Sequence, residues 1–292
     1  MDSSAPSAQS PVQYSDRSHQ HPPSHQIPFV DLSLQHRPIQ ADVLAMVERL
    51  LNKGDYILGQ AVAEFEAEFA AACSCDYGVG VGCGTDAITL GLQACGIGLG
   101  DEVILPANTF IATLIGVVQA GATPVLVDCD PQTALINLDA AAAAVTDKTR
   151  AVIPVHLYGQ LVSPTGLKGL AERHDLIIFE DAAQAHLARR EGVTAGSIGL
   201  GAAFSFYPSK NLGAVGDGGM LVTSVDAIAE KVRSLRNYGA TRKYFHTDPG
   251  GTNSRLDTLQ AGVLQLKLPY LKSWNRDRNS LAAYYDQSLQ PL

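Results

Sequence analysis

Lys210 is the residue of this sequence best set to do covalent chemistry. It stands in Phe204-Ser205-Phe206-Tyr207-Pro208-Ser209-Lys210-Asn211, a mostly apolar and aromatic stretch, and precedes the glycine-rich run Gly213-Ala214-Val215-Gly216-Asp217-Gly218-Gly219. Partial desolvation weakens a lysine's preference for its charged form, so its amine can attack an aldehyde and form a Schiff base. Taken alone, the octapeptide fits a loop lysine in water better. A second stretch, Phe179-Glu180-Asp181-Ala182-Ala183-Gln184, shifts that balance. Asp181 closes the apolar run Leu176-Ile177-Ile178-Phe179, which reads as a buried parallel strand, so its carboxylate belongs at the strand's carboxyl end, where open α/β sheets bind ligands. A carboxylate there can keep a pyridinium nitrogen protonated, and an acidic residue paired with a Schiff-base lysine is the signature of pyridoxal phosphate sites. The competing role for Asp181 is the N-cap of a helix beginning at Ala182.

Positioning two such residues requires a scaffold, and from residue 77 onward strand and helix signals alternate as in a mostly parallel α/β sheet. Strands are expected at 77–81, 102–105, 124–127, 151–155, 176–179, 203–206 and 220–223, and helices at 86–94, 108–120, 138–145, 165–173 and 227–238. Two amphipathic helices precede them, one over 38–51 and one through Val62, Phe65 and Phe69. Between those two, Tyr56 either lines a pocket or simply packs. The glycine-rich turn 78–87 joins a strand to a helix, and either its amides at a helix N-terminus make a seat for phosphate, with Thr85 adding a hydroxyl, or it is a tight turn with no ligand. Neither the dinucleotide nor the P-loop spacing can be laid on this turn, which disfavours a nicotinamide-dependent oxidoreductase. The next strand–helix turn carries Phe110, placed either to stack on a flat ring or to pack in the core.

Composition narrows the classes further. With 292 residues, 46% hydrophobic content and 17% charge, the chain has the make-up of a soluble globular protein with one large domain and part of another. A net charge of −8 argues against nucleic acid as a partner. Five scattered cysteines, at 73, 75, 83, 95 and 129, favour a reducing compartment and lack the companion ligands of a metal site. No membrane span or signal peptide is indicated, so a cytoplasmic location is expected. Residues 1–26 hold seven Ser, four Pro, four Gln and three His (His19, His21 and His25), a composition that predicts a disordered tail.

The motifs can now be read together. Gly84-Thr85-Asp86-Ala87, Pro106-Ala107-Asn108-Thr109-Phe110-Ile111-Ala112-Thr113, Pro154-Val155-His156-Leu157-Tyr158-Gly159, Glu180-Asp181-Ala182-Ala183-Gln184, Ser205-Phe206-Tyr207-Pro208-Ser209-Lys210-Asn211 and Asn253-Ser254-Arg255-Leu256-Asp257 occur in this order. From about residue 27 to 292 the chain resembles the sugar aminotransferases of the DegT/DnrJ/EryC1/StrS family. The resemblance implies the α/β architecture of fold-type I pyridoxal phosphate enzymes, with a mostly parallel central sheet flanked by helices. The corresponding organisation is a tail at 1–26, a cofactor-binding domain at 27–250 and the start of a C-terminal region at 251–292. Family members normally continue past the equivalent of Leu292 into a small domain that closes over the sugar, so a truncated or fragmentary C-terminal domain is expected here.

The resemblance also assigns roles. Lys210 would hold pyridoxal 5′-phosphate and then shuttle the proton, Asp181 would pair with the pyridine nitrogen, and Gln184 would contact the 3-hydroxyl. Phe110 would stack on the ring, while Thr85, the Asp86 amide and Ser205 would hold the phosphate. Asn253 would reach the phosphate of a partner subunit, which implies a homodimer with shared sites. The activity implied is transfer of an amino group from L-glutamate to a keto group of a nucleotide-activated deoxysugar, with residues 252–257 favouring C3 of a dTDP-3-keto-6-deoxyhexose. Arg236, Tyr238, Arg242, Lys243, Tyr244 and His246 would either meet the nucleotide diphosphate or form a solvated helix end and loop. Two rival readings are a non-catalytic or regulatory homologue that binds the cofactor, and a related sugar dehydratase, which Lys210 disfavours because that branch has histidine in its place.

Overall fold

The computed structural model describes residues 27–242 and 244–290, so the tail 1–26 with its histidines, Lys243 and the last two residues lie outside the described residues. The chain divides into two units, Met1–Asp31 and Leu32–Leu292. In the first, residues 27–31 have no regular structure. The second begins with α1 (Ser33–His36), α2 (Gln40–Lys53) and α3 (Gln60–Ala72). It continues through β1 (Tyr77–Val81), α4 (Gly84–Ala94), β2 (Glu102–Pro106), α5 (Ile111–Gln119), β3 (Thr123–Val127), α6 (Leu138–Ala143), β4 (Thr149–Val152), α7 (Pro164–His174) and β5 (Ile177–Asp181). A hairpin of β6 (Arg189–Arg190) and β7 (Val193–Thr194) leads to β8 (Gly201–Ser205), β9 (Gly219–Thr223) and α8 (Asp226–Leu235). A second hairpin, β10 (Ala240–Arg242) with β11 (Phe245–His246), precedes α9 (Thr258–Lys267) and α10 (Leu271–Leu289).

All seven expected strands enter one sheet in the order β1-β9-β8-β5-β4-β2-β3. Only β9 runs against the others, so the carboxyl ends of the six parallel strands share one edge with the amino end of β9. Most of the strands are apolar on both faces, as burial under helices on two sides demands, while the edge strand β3 is partly exposed. Val79, Val81, Phe179, Ala203 and Leu221 pack with α4, α5 and α8 on one side. Ile178, Ala202, Phe204, Met220 and Val222 pack with α3, α7 and α9 on the other. Helix α4 approaches so closely that a Cβ on Gly91 would stand 2.3 Å from the Phe179 ring. No helix among the described residues is long and apolar enough to cross a membrane.

Several boundaries differ from the sequence expectation, each for a local reason. Strand β4 stops at Val152 because Pro154 has no N–H to give the ladder, and pairing resumes only as a bridge between Val155 and Asp181. Helix α5 starts at Ile111 because Phe110 is extended, with φ −69° and ψ 142°. Helix α8 ends at Leu235, short of Tyr238, whose φ is 60°. Helices α9 and α10 and the two hairpins were not foreseen. The second core face is centred on Phe69, whose ring lies 5.7, 5.0 and 5.2 Å from those of Phe65, Phe204 and Phe206. Phe69→Ala is expected to cost about 3–5 kcal/mol and to lower the midpoint of urea unfolding accordingly.

Candidate active site

At the carboxyl edge of the sheet, the turn after β1 approaches its neighbours within van der Waals limits. A Cβ on Gly219 would lie 2.3 Å from the Cys83 carbonyl carbon, and one on Gly84 would lie 2.8 Å from Ser205 Cβ. This bare backbone leads into α4, so the first amides and the positive end of an eleven-residue helix face the edge. The turn is pinned from the distant segment at Ser254, whose Oγ accepts from Gly82 N–H at 2.9 Å and donates to Asp86 Oδ2 at 2.6 Å. The Asp86 amide donates to Cys83 Sγ at 3.4 Å.

Strand β5 ends in two carboxylates that point to opposite faces. Glu180 is fully buried and accepts from Gly196 N–H at 2.9 Å, Ile198 N–H at 2.8 Å and Gly199 N–H at 3.2 Å. His156, also fully buried, accepts from Val162 N–H through Nδ1 at 3.2 Å, which leaves Nε2 to donate to Glu180 at 2.9 Å. Asp181 faces the opposite way. Its Oδ2 accepts from Thr113 Oγ1 at 2.7 Å and its Oδ1 from Ala183 N–H at 3.1 Å. No helix begins at Ala182, which removes the capping role. With Thr113 donating to Asp181, Thr109 Oγ1 becomes the donor in its 2.7 Å contact with Thr113.

Past β8, Lys210 sits in a tight turn, its N–H donating to Tyr207 O at 2.8 Å. Burial lowers its pKa, with the charge of Asp181 working in the opposite direction. His186 donates through Nε2 to Ser205 O at 3.0 Å, and burial brings its pKa down to about 3, so the ring is neutral. Gln184 is held through Oε1 by Tyr158 N–H at 2.7 Å.

These turns enclose a cavity of about 450 Å³ lined by Thr85, Phe110, Asp181, Gln184, Ser205 and Lys210, six residues singled out from sequence. Phe110 is 71% exposed and so is not a core side chain. Asp86 and Asn253 do not line the cavity: the Asp86 carboxylate is turned to Ser254, and Asn253 is exposed, bridging to Asn237. Tyr56 is 48% exposed and lies outside the lining.

A model of the DegT/DnrJ/EryC1/StrS aminotransferase family matches residues 38–292. The chain belongs to this family. It is 48% identical over 266 residues to the dTDP-3-amino-3,4,6-trideoxy-alpha-D-glucose transaminase of Streptomyces venezuelae, covering 91% of this chain and 70% of the relative. It is 45% identical over 264 residues to a protein of Geobacillus stearothermophilus named "Pleiotropic regulatory protein", covering 90% of this chain and 71% of that one. Among solved structures, S. venezuelae DesV superposes with a TM-score of 0.88 at 48% identity, over 90% of this chain and 71% of that chain.

The DegT/DnrJ/EryC1/StrS family uses pyridoxal 5′-phosphate. The residues present fit that group: an anion seat that only glycine permits, hydroxyls at Thr85 and Ser205, a carboxylate, a partly buried amine and an aromatic wall share one cavity. Sequence reasoning gave no role to Thr113, His156 or His186, although all three stand within or beside quoted motifs. Their signal is burial of polar groups, which a sequence does not display. His156→Ala is expected to leave Glu180 short of a donor, cost roughly 2–3 kcal/mol and speed amide exchange at 196–199, read by thermal melting and hydrogen exchange.

Proposed function

We propose that this protein transfers an amino group from L-glutamate to the keto group of a nucleotide-activated deoxysugar, a dTDP-3-keto-6-deoxyhexose, at a pyridoxal 5′-phosphate site centred on Lys210. The observation that carries this reading is that the Lys210 amine and the Asp181 carboxylate line one cavity beside the glycine-built anion seat. When bound, the cofactor supplies an aldehyde to capture amines and a ring to absorb carbanion charge. Burial raises the fraction of Lys210 that is neutral at a given pH and therefore nucleophilic. Displaced by the incoming donor, Nζ accepts the donor's α-proton and returns it one position along. Asp181, already accepting from Thr113 and Ala183, is an acceptor oriented to hold a proton on the pyridine nitrogen.

The remaining roles follow from which polar atoms are already engaged. Tyr158 N–H occupies Gln184 Oε1, so the amide NH2 is left to donate to the cofactor's 3-oxygen. Ser205 Oγ accepts from Tyr207 N–H at 3.3 Å, so its proton is free for the phosphate, beside Thr85, whereas the Asp86 amide is already engaged by Cys83 Sγ. Phe110 covers the ring. Asn253, exposed and outside the lining of its own cavity, serves the phosphate of a second copy in a homodimer. Support for that homodimer comes from α5, where Ile111, Ile115 and Val118 form an exposed apolar stripe at helical spacing next to Phe110. The S. venezuelae relative supports a dTDP-sugar aminated at C3, and the cytoplasm is the compartment where nucleotide sugars and reduced cysteines coexist.

The test is the visible spectrum of the protein with pyridoxal phosphate before and after L-glutamate. The lysine-bound band is expected in the wild type, to give way to the pyridoxamine form with glutamate, and to be absent in Lys210→Ala. Absence of the band from the wild type would sink the assignment. A band that glutamate does not discharge would favour the second reading, a cofactor-binding regulator, for which the name of the G. stearothermophilus relative speaks. Thr113→Val, which removes a hydrogen bond to a charged group worth about 1.5–3 kcal/mol, is expected to slow glutamate-driven conversion roughly 10- to 100-fold, with Thr113→Ser close to wild type.

A further inference from the structure

One buried cation has no part in the reaction just derived. Lys267, on α9, is fully buried, and its Nζ donates to the Gly213 carbonyl at 2.5 Å. Its other neighbours are His36 Nε2 at 3.2 Å and the Trp274 ring at 6.0 Å from the centroid. Burial lowers its pKa to about 8, so at neutral pH the ammonium predominates, while burial and the ammonium itself lower the pKa of His36. A fully buried ammonium is a costly arrangement, and replacing a buried charge by an apolar isostere is often neutral or stabilising. Its presence calls for a return other than stability.

The carbonyl it holds closes the turn that carries Lys210. Residues 208–213 fold back tightly enough that a Cβ on Gly213 would stand 2.2 Å from Pro208 O, and Ala214 N–H returns to Phe206 O at 2.8 Å. On the other flank Asn211 donates to Asn275 Oδ1 at 2.8 Å, and Asn275 donates to His186 O at 2.9 Å. The turn is therefore held from α10 through Asn275 and from α9 through Lys267.

We propose that Lys267 is a positioning residue for Lys210: its ammonium clamps the Gly213 carbonyl and so sets where the turn 208–213 presents the amine that captures pyridoxal phosphate. The inference rests on the cofactor reading above. Its test uses the full chain without cofactor, to which pyridoxal phosphate is added. The growth rate of the visible band, the mass fixed on the Lys210 peptide by borohydride and the thermal midpoint are followed together. Lys267→Met is expected to melt at or above the wild-type temperature yet to capture the cofactor about tenfold more slowly, still on Lys210, as befits loss of one charge-assisted hydrogen bond. Lys267→Gln, which keeps a neutral donor, is expected to recover part of that rate.

Unchanged capture by Lys267→Met overturns the proposal. So does a loss of melting temperature shared equally by the Met and Gln variants and matched by their capture rates, because that pattern marks a purely structural residue. Failure of the wild type to form the band overturns the cofactor reading instead, which keeps the two failures apart.

Discussion

The end of β5 is where the structure commits itself. Glu180 and Asp181 are neighbours in sequence, and strand geometry sends their side chains to opposite faces of the sheet. A buried carboxylate survives only if its lone pairs are filled, and Glu180 fills them with His156 and three backbone N–H groups from 196–199. That set fixes the strand end in two directions. Asp181 N–H donates to Pro154 O at 3.0 Å and His156 N–H to Asp181 O at 3.0 Å, so the β4 and β5 ends are locked together. The Asp181 carboxylate then has one orientation open to it, towards Thr113 and the cavity.

Around this anchor, charge is distributed by function and by cost. At the turn after β1, helix amides face the cavity edge and the backbone packs closely because Gly84 and Gly219 carry no side chains. Elsewhere, Arg236 is buried against Glu66 and also donates to Gly80 O at 2.7 Å, while Glu66 accepts from Gly80 N–H at 2.8 Å. That compensated pair ties α3 and the end of α8 to β1, the strand that delivers the seat. Lys267 is held instead by a backbone carbonyl, that of Gly213.

Much of this was legible in the sequence because local rules carried it. Alternating apolar runs marked all seven strands of the main sheet, since a strand buried on both faces must be apolar throughout. Lys210 and Asp181 could be singled out only together, because each stretch alone also fits a simpler role, a loop lysine or a helix N-cap. The hairpins and α9 were missed because β6, β7 and β11 are two residues long, and because the buried positions of α9 include Lys267 and Gly262 and break the apolar period.

The sequence by itself determined the α/β class, the strand order of chemistry along the chain and the residue types at the cavity. It could do so because backbone periodicity and turn chemistry act over a few residues. Only the tertiary structure decided that Asp86 turns to Ser254, that Thr113 and not a helix N-terminus receives Asp181, and that a lysine 57 positions beyond Lys210 holds its turn. Those are contacts between segments far apart in the chain, and the energy that fixes them comes from burying polar groups in pairs, which no single stretch of sequence contains.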